Sequence, residues 1–350
     1  MRKSSTVHLT EVMKPQIWEK FPEDLFENVL ARLPIVTIIR FRAVCQQWNN
    51  LISSQSFSQF CAQVSQENPC FYTTFGDYDY EAMYDPYMKR WYYPNTLEFS
   101  AFPVSSAGGL VYFQYECFNT NLCVCNPMTK SFKKLPNGWI KRWCHLGMTM
   151  NGSADYRVLK LGCRKYEIYD SVTKCWSHLG KIPECIKGPG CIISTSISID
   201  NTLYFMHKHQ NIVSYDTSTG VWTQHLIQAP LHSSGLTLAV SDGKIMLVGI
   251  LEENDATFVC IWEALKMTFT LKEVDRKSLL KFHRRPVGLT CVGNKGLLLC
   301  CLKSCNMYRM IIYNIATREW LTVQLPFRRK VFKQHLVRAT AFQPCLTAMP

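Results

Sequence analysis

A chain of 350 residues, 47% hydrophobic and 13% aromatic, can bury a large core and is excluded from the disordered class. Its formal net charge of +13 raises a nucleic-acid reading, but the basic residues are dispersed, and the densest groups, at 276–285 and 328–338, lack interleaved aromatics. A solvated basic face or an acidic partner is therefore expected in preference to nucleic acid.

In chain order, residues 1–15 are polar and read as a flexible N-terminus without the apolar core of a secretory signal. The longest apolar runs, 245–251 and 296–302, are of strand length and too short to cross a bilayer. These features place the chain, as an expectation, in the cytoplasm and/or nucleus with no membrane partner. There the 17 cysteines read as buried thiols and not as a disulfide framework. Cys123 with Cys125, and Cys300, Cys301 with Cys305, come nearest to metal-ligand spacing. Both groups lie in apolar, strand-like runs, so no metal and no cofactor are expected.

From 16 to 57 the apolar residues recur at helical spacing. Pro22 suits a helix start, Glu23 and Asp24 suit the positive end of its dipole, and Pro34 stops it. Leu25, Val29 and Leu33 lie four apart on one stripe, flanked by Phe26 and Leu30. Ile35, Ile38, Ile39 and Phe41 mark a second short helix, and Val44, Cys45, Trp48 and Ile52 a third. Three such helices bury little core alone, so leftover apolar positions call for a partner surface. The plain alternative is a helical hairpin packed on the rest of the chain. Residues 58–68 read as a helical linker.

From 69 to 350 the pattern changes to short β-rich runs carrying a spaced signature: an acid or amide ends a strand, Thr or Lys fills a turn, and an aromatic opens the next strand. The first position falls at Asp85, Asn126, Asp170, Asp216, Glu263 and Asn314. The aromatic falls at Trp91, Phe132, Trp176, Trp222, Phe269 and Trp320. Intervals of 41 to 51 residues match the length of a four-stranded propeller blade. The Asx side chain is expected to cap the turn, and the Trp to pack between blades. A β-sandwich with chance turns is the alternative, and six spaced copies argue against it. Gly108-Gly109, Asp200-Asn201 and Asp242-Gly243 mark a second set of turns, each leading into an apolar strand. Residues 70–75 and 337–342 are expected to pair and close the ring, because an open edge would aggregate.

Phe21-Pro22, the Leu25–Leu30 helix, Leu33-Pro34 and the Val44-Cys45-Gln46-Gln47-Trp48 block resemble the F-box, with Phe21 in place of its usual Leu. The β units resemble kelch repeats, although the double glycine persists only at Gly108-Gly109. The whole is similar to the plant F-box/kelch-repeat proteins: an α+β multidomain chain with a small three-helix F-box at 16–57 and an all-β, six-bladed propeller at 69–350. The resemblance implies a non-catalytic substrate receptor of an SCF-type ubiquitin ligase. A Skp-type adaptor would be bound through Phe21, Pro22, Leu25, Val29, Leu30, Leu33, Pro34, Ile38, Val44 and Trp48, bridging to a cullin and a RING subunit. Trp48 could equally hold the three helices together. The propeller would hold an unidentified protein target through loops such as 78–87, 139–145, 208–211 or 281–285. Alternatives are a ligand-sensing receptor, a non-degradative F-box scaffold, or a propeller enzyme; the turns lack the Gly of sialidase repeats, and the histidines are scattered.

Overall fold

The computed structural model of the protein describes residues 23–63, 70–75, 80–93, 101–115, 122–141, 145–151, 155–187, 192, 194–208, 211–265, 268–279, 288–304, 307–325 and 338–350. The chain divides into two compact units, Met1–Gln66 and Glu67–Pro350.

Among its described residues the first unit has four helices: α1 (Glu23–Ala31), α2 (Ile35–Phe41), α3 (Gln46–Ser53) and α4 (Gln55–Gln63). α1 closes with the amides of Arg32 and Leu33 donating to the Val29 and Leu30 carbonyls. Cys45 caps α3, its thiol accepting the Trp48 amide at 3.5 Å. Ser54 ends α3 with its amide on the Leu51 carbonyl, and its hydroxyl accepts the Phe57 amide at 3.1 Å in the first turn of α4. α4 spans the boundary between residue 57, the expected end of the three-helix segment, and residue 58, the expected start of the helical linker.

The second unit is a ring of six four-stranded antiparallel sheets. Blade 1 runs outward as β24 (Arg338–Phe342), β1 (Cys70–Phe75), β2 (Tyr80–Asp85) and β3 (Arg90–Tyr92). Blade 2 is β4 (Ala101–Ala107) to β7 (Ser131–Lys134), through β5 (Leu110–Tyr115) and β6 (Leu122–Asn126). Blade 3 comprises β8 (His145–Asn151), β9 (Asp155–Leu161), β10 (Lys165–Asp170) and β11 (Cys175–Lys181). Blade 4 comprises β12 (Ile197–Ile199), β13 (Thr202–Met206), β14 (Ile212–Asp216) and β15 (Trp222–His225). Blade 5 comprises β16 (Ser233–Ser241), β17 (Lys244–Glu253), β18 (Ala256–Ala264) and β19 (Leu271–Ser278). Blade 6 comprises β20 (Gly288–Asn294), β21 (Leu297–Ser304), β22 (Met307–Asn314) and β23 (Glu319–Val323).

The last strand closes the ring by completing blade 1, with Cys70 opposite Phe342 and Thr74 opposite Arg338. The pairing of β24 with β1 joins the two ends of the propeller unit in one sheet. The core lies between blades: Phe71 and Tyr84 of blade 1 pack with Leu299 and Ile312 of blade 6, and Leu203 and Tyr215 of blade 4 with Leu159 and Ile168 of blade 3.

Strand alternation sorts the connections onto two faces. First-to-second and third-to-fourth turns share one face, the turn face. Second-to-third loops and the connections between blades share the other, the loop face. The repeated signature is the third-to-fourth turn. In five blades it is a four-residue loop whose Asx oxygen accepts backbone amides: Asp85 from Tyr87 and Met88, Asn126 from Met128, Asp170 from Val172 and Thr173, Asp216 from Ser218 and Thr219, Asn314 from Ala316 and Thr317. The fourth loop residue is left-handed in each, at Lys89, Lys130, Lys174, Gly220 and Arg318. Glu263 departs from the expectation. It lies inside β18, opposite Met246 and Lys272 and paired with Lys244. Blade 5 closes with the six-residue loop 265–270, two residues longer than the others, so the sequence signature is out of step there.

The tryptophans do meet the preceding blade. Trp91 donates to the Gln324 carbonyl at 2.8 Å, Trp176 to the Pro136 carbonyl at 2.6 Å and Trp320 to the Asp275 carboxylate at 3.0 Å. Trp222 packs its ring on Tyr166 of blade 3. Phe132, in blade 2, is exposed instead. Gly108-Gly109, Asp242-Gly243 and Lys295-Gly296 are two-residue hairpin turns with positive φ at both positions.

Candidate functional site

The helical unit fills its own core with Leu30, Ala31, Ile38, Ile52, Phe57 and Cys61, all buried. Leu30 and Ile38, expected among the adaptor contacts, are buried in that core. A short amphipathic helix does not reveal which of its apolar positions face inward. Trp48 is wedged between Phe26 and Phe41, with ring centroids 4.8 and 4.9 Å away, so it ties α1, α2 and α3 together. Leu25 and Val29, one helical turn apart on α1, remain 48% and 46% exposed, and Val44 is 60% exposed. Leu33 and Pro34 follow α1 half-buried. Phe21 and Pro22 lie outside the described residues. The unit therefore keeps Leu25, Val29 and Val44 exposed outside its own core.

On the propeller, Tyr78 to Tyr87 is not one loop. Residues 80–85 form β2 and Tyr87 sits on the turn face, while residues 76–79 lie outside the described residues. Trp139–Lys141 belong to a blade connection on the loop face, with Trp139 59% exposed; residues 142–144 lie outside the described residues and His145 opens β8. Lys208 is exposed on the same face, and 281–285 lies outside the described residues.

The central channel opens at the turn face into a cavity of about 310 Å³ lined by the hairpin turns at Gly108-Gly109, Asp242-Gly243 and Lys295. A cavity of about 530 Å³ at the loop-face end is lined by His145, Arg338, Gln114 and Thr237. Burial lowers the His145 pKa to about 4, so that ring is neutral at physiological pH.

Cys123, Cys125, Cys300 and Cys301 are buried and unbridged. Burial pushes the Cys125 and Cys301 thiols well up, which keeps them protonated. Among the described residues no cluster of three or more His, Cys, Asp or Glu has a metal-binding arrangement.

Sequence reasoning missed one feature of this surface: the buried pair Lys160–Glu167, 2.5 Å apart, beneath the Trp139 loop. Nothing in the sequence spacing marks it, since the two residues lie on adjacent strands like any other polar positions.

Residues 18–60 match the F-box domain, and residues 91–285 match the F-box associated beta propeller domain. The chain is 43% identical to F-box only protein 6 of Arabidopsis thaliana, the match covering 96% of this chain and 76% of that one. It is 23% identical to the Arabidopsis thaliana protein UNUSUAL FLORAL ORGANS, over 89% of this chain and 79% of that one. An Arabidopsis thaliana F-box/kelch-repeat protein is 26% identical over 67% of this chain and 66% of its own length.

Proposed function

The chain belongs to the F-box proteins that carry an F-box-associated β-propeller, and from that membership we propose that it is the substrate-receptor subunit of an SCF-type (Skp–cullin–F-box) ubiquitin ligase. F-box domains generally bind Skp1-type adaptors. In this reading α1 docks on the adaptor, which bridges to a cullin and its RING subunit, while the propeller holds the protein to be ubiquitinated. The observation that carries it is the exposed Leu25–Val29 stripe, left over by a helical unit whose own core is already filled. Ubiquitin transfer occurs elsewhere in such a complex, so the chain supplies proximity and no nucleophile. The cytoplasm and/or nucleus is the compartment this role requires.

Co-purification from plant or insect cells with a Skp-type adaptor and a cullin tests the proposal. The wild type retains both, and a Pro22→Ala, Leu25→Ala variant with an intact propeller loses both. A folded wild type that retains neither overturns the proposal and leaves a propeller of another function.

A further inference from the structure

We propose that the loop-face tip of blade 3 is the propeller's reading surface, and that it takes an acidic stretch of protein chain carrying an apolar anchor. The inference deepens the substrate-receptor reading and rests on it for the identity of the occupant as a target.

The surface is built around a loop that is fixed from beneath. The Glu167 carboxylate, fully buried, accepts the Trp139 amide at 2.8 Å and the Ile140 amide at 3.3 Å. Lys160, equally buried, pairs with that carboxylate, donates to the Ile140 carbonyl at 3.4 Å and lies over the Trp176 ring at 4.3 Å. Trp176 in turn donates to the Pro136 carbonyl. Gly138 makes the approach possible, because a β-carbon there would collide with the Glu167 carboxylate. Four contacts from blade 3 thus hold residues 136–140 of a blade connection. A loop held this firmly nevertheless presents Trp139 to solvent at 59% exposure. A large aromatic carried on backbone that is already held in place is a low-cost binding anchor.

The surroundings are of one sign. Lys141 follows on the loop, and Arg164, Lys165, Lys181 and Lys187 stand exposed at the same end of blade 3. Lys165 is opposite Lys181 in the sheet, and the Arg164 carbonyl accepts the Ile182 amide, which fixes these positions as neighbours. Among the described residues of this tip the acids are Glu167, buried against Lys160, and Glu184, paired with Lys187. Asp155 and Asp170 lie at the other end of the blade, on the turn face. Blade 5 carries Glu252 and Asp255 on the loop face, with Glu253 beside them paired to Arg276. A long polyanion laid across that face would meet these acids, whereas a short acidic segment on blade 3 would not. This favours protein over nucleic acid.

The full chain is probed with an array of short synthetic peptides of acidic, neutral and basic composition and with a DNA duplex. Two triple variants carry the same charge change: Lys141→Glu, Lys165→Glu, Lys181→Glu on the loop face, and Lys89→Glu, Lys130→Glu, Lys174→Glu on the turn face. Acidic peptides with an apolar residue are expected to bind. Their binding should fall at least about tenfold in the loop-face triple and change less than about twofold in the turn-face triple. Trp139→Ala, with all charges kept, should also cost about tenfold. Equal losses in both triples, or no acidic binding by the wild type, overturn the proposal. So does duplex binding that the loop-face triple abolishes while acidic peptides remain unbound, which would assign the patch to nucleic acid. Adaptor binding, measured in parallel, should be unchanged in every variant. If it is absent throughout while acidic peptides still bind, the receptor reading fails and the surface stands.

Discussion

Asn126 occupies a position where four other blades carry either Asp or Asn, yet the structure predicts that Asn126→Asp is severely destabilising. The Asn126 oxygen caps the turn by accepting the Met128 amide at 3.0 Å, and the same carboxamide donates to the Cys345 and Ala348 carbonyls, both at 2.8 Å. It thereby latches the C-terminal segment 343–350 to blade 2, beyond the closing strand. The side chain is fully buried. A carboxylate would keep the cap but lose two donors, about 1–3 kcal/mol, and would place a charge against two carbonyl oxygens. The whole penalty should reach about 3–5 kcal/mol, the cost typical of a buried, unpaired charge. For a unit of this size that corresponds to a fall in Tm of roughly 6–20 °C. The introduced acid would have a raised pKa in the folded state, so there the folded form binds more protons than the unfolded form above pH ~4. Its deficit should therefore be smallest below pH ~4 and grow as the pH rises. Asn314→Asp is the control, because the Asn314 oxygen accepts the Ala316 and Thr317 amides in the same way in an exposed turn. Thermal and urea melts across pH check both. An Asn126→Asp protein within about 0.5 kcal/mol of the wild type, or one no worse than Asn314→Asp, would refute the latch.

Glu167→Ala should cost about 3–5 kcal/mol in urea melts, because it strands the Lys160 ammonium in the core, and should speed tryptic cleavage after Lys141. Burial already pulls the Lys160 pKa below the usual lysine range, with Glu167 opposing it. In the variant that opposition is gone, the unfolded state binds more protons just below pH ~10, and the deficit should shrink as the pH rises toward that value. At Asp170, burial opposes ionisation, but Arg157 and the Val172 and Thr173 amides outweigh it. At Asp216, the Ser218 hydroxyl and the turn amides overcome burial. Both carboxyls are held below their ordinary range. Their stabilisation is full above pH ~4 and is lost as the pH falls through the depressed values, so Asp170→Asn with Asp216→Asn should flatten the acid limb of a pH melt while keeping both caps. Replacing exposed Arg276, which bridges Glu253 and Glu273, by Ala should change stability by less than about 1 kcal/mol at moderate salt.

What the sequence made legible was local. An Asx oxygen two or three residues before the amides it accepts writes itself into the spacing, and so the turns at Asp85, Asn126, Asp170, Asp216 and Asn314 could be read directly. Glu263 could not, because a loop two residues longer keeps the composition of the signature and breaks its register. The stripe on α1 was legible as apolar, but whether Leu30 or Val29 faces the core depends on how the other helices pack around it. The aromatic and acidic residues of 78–87 imitate loop composition while half of them alternate across a strand. The Lys160–Glu167 pair leaves no trace, since its partner loop is brought in from the preceding blade. Asn126 differs from its counterparts only through the chain end it holds, a contact more than two hundred residues away in sequence.

The most direct test of the central claim is a calorimetric titration of the purified full chain with a Skp-type adaptor, comparing the wild type with Leu25→Asp, Val29→Asp. Burying each of these side chains is worth about 1.5–3 kcal/mol, so the pair should account for at least a hundredfold in affinity. The account predicts tight binding by the wild type, none measurable by the variant, and an unchanged melting temperature for the propeller in both. Equal affinity of variant and wild type, with both folded, would contradict it.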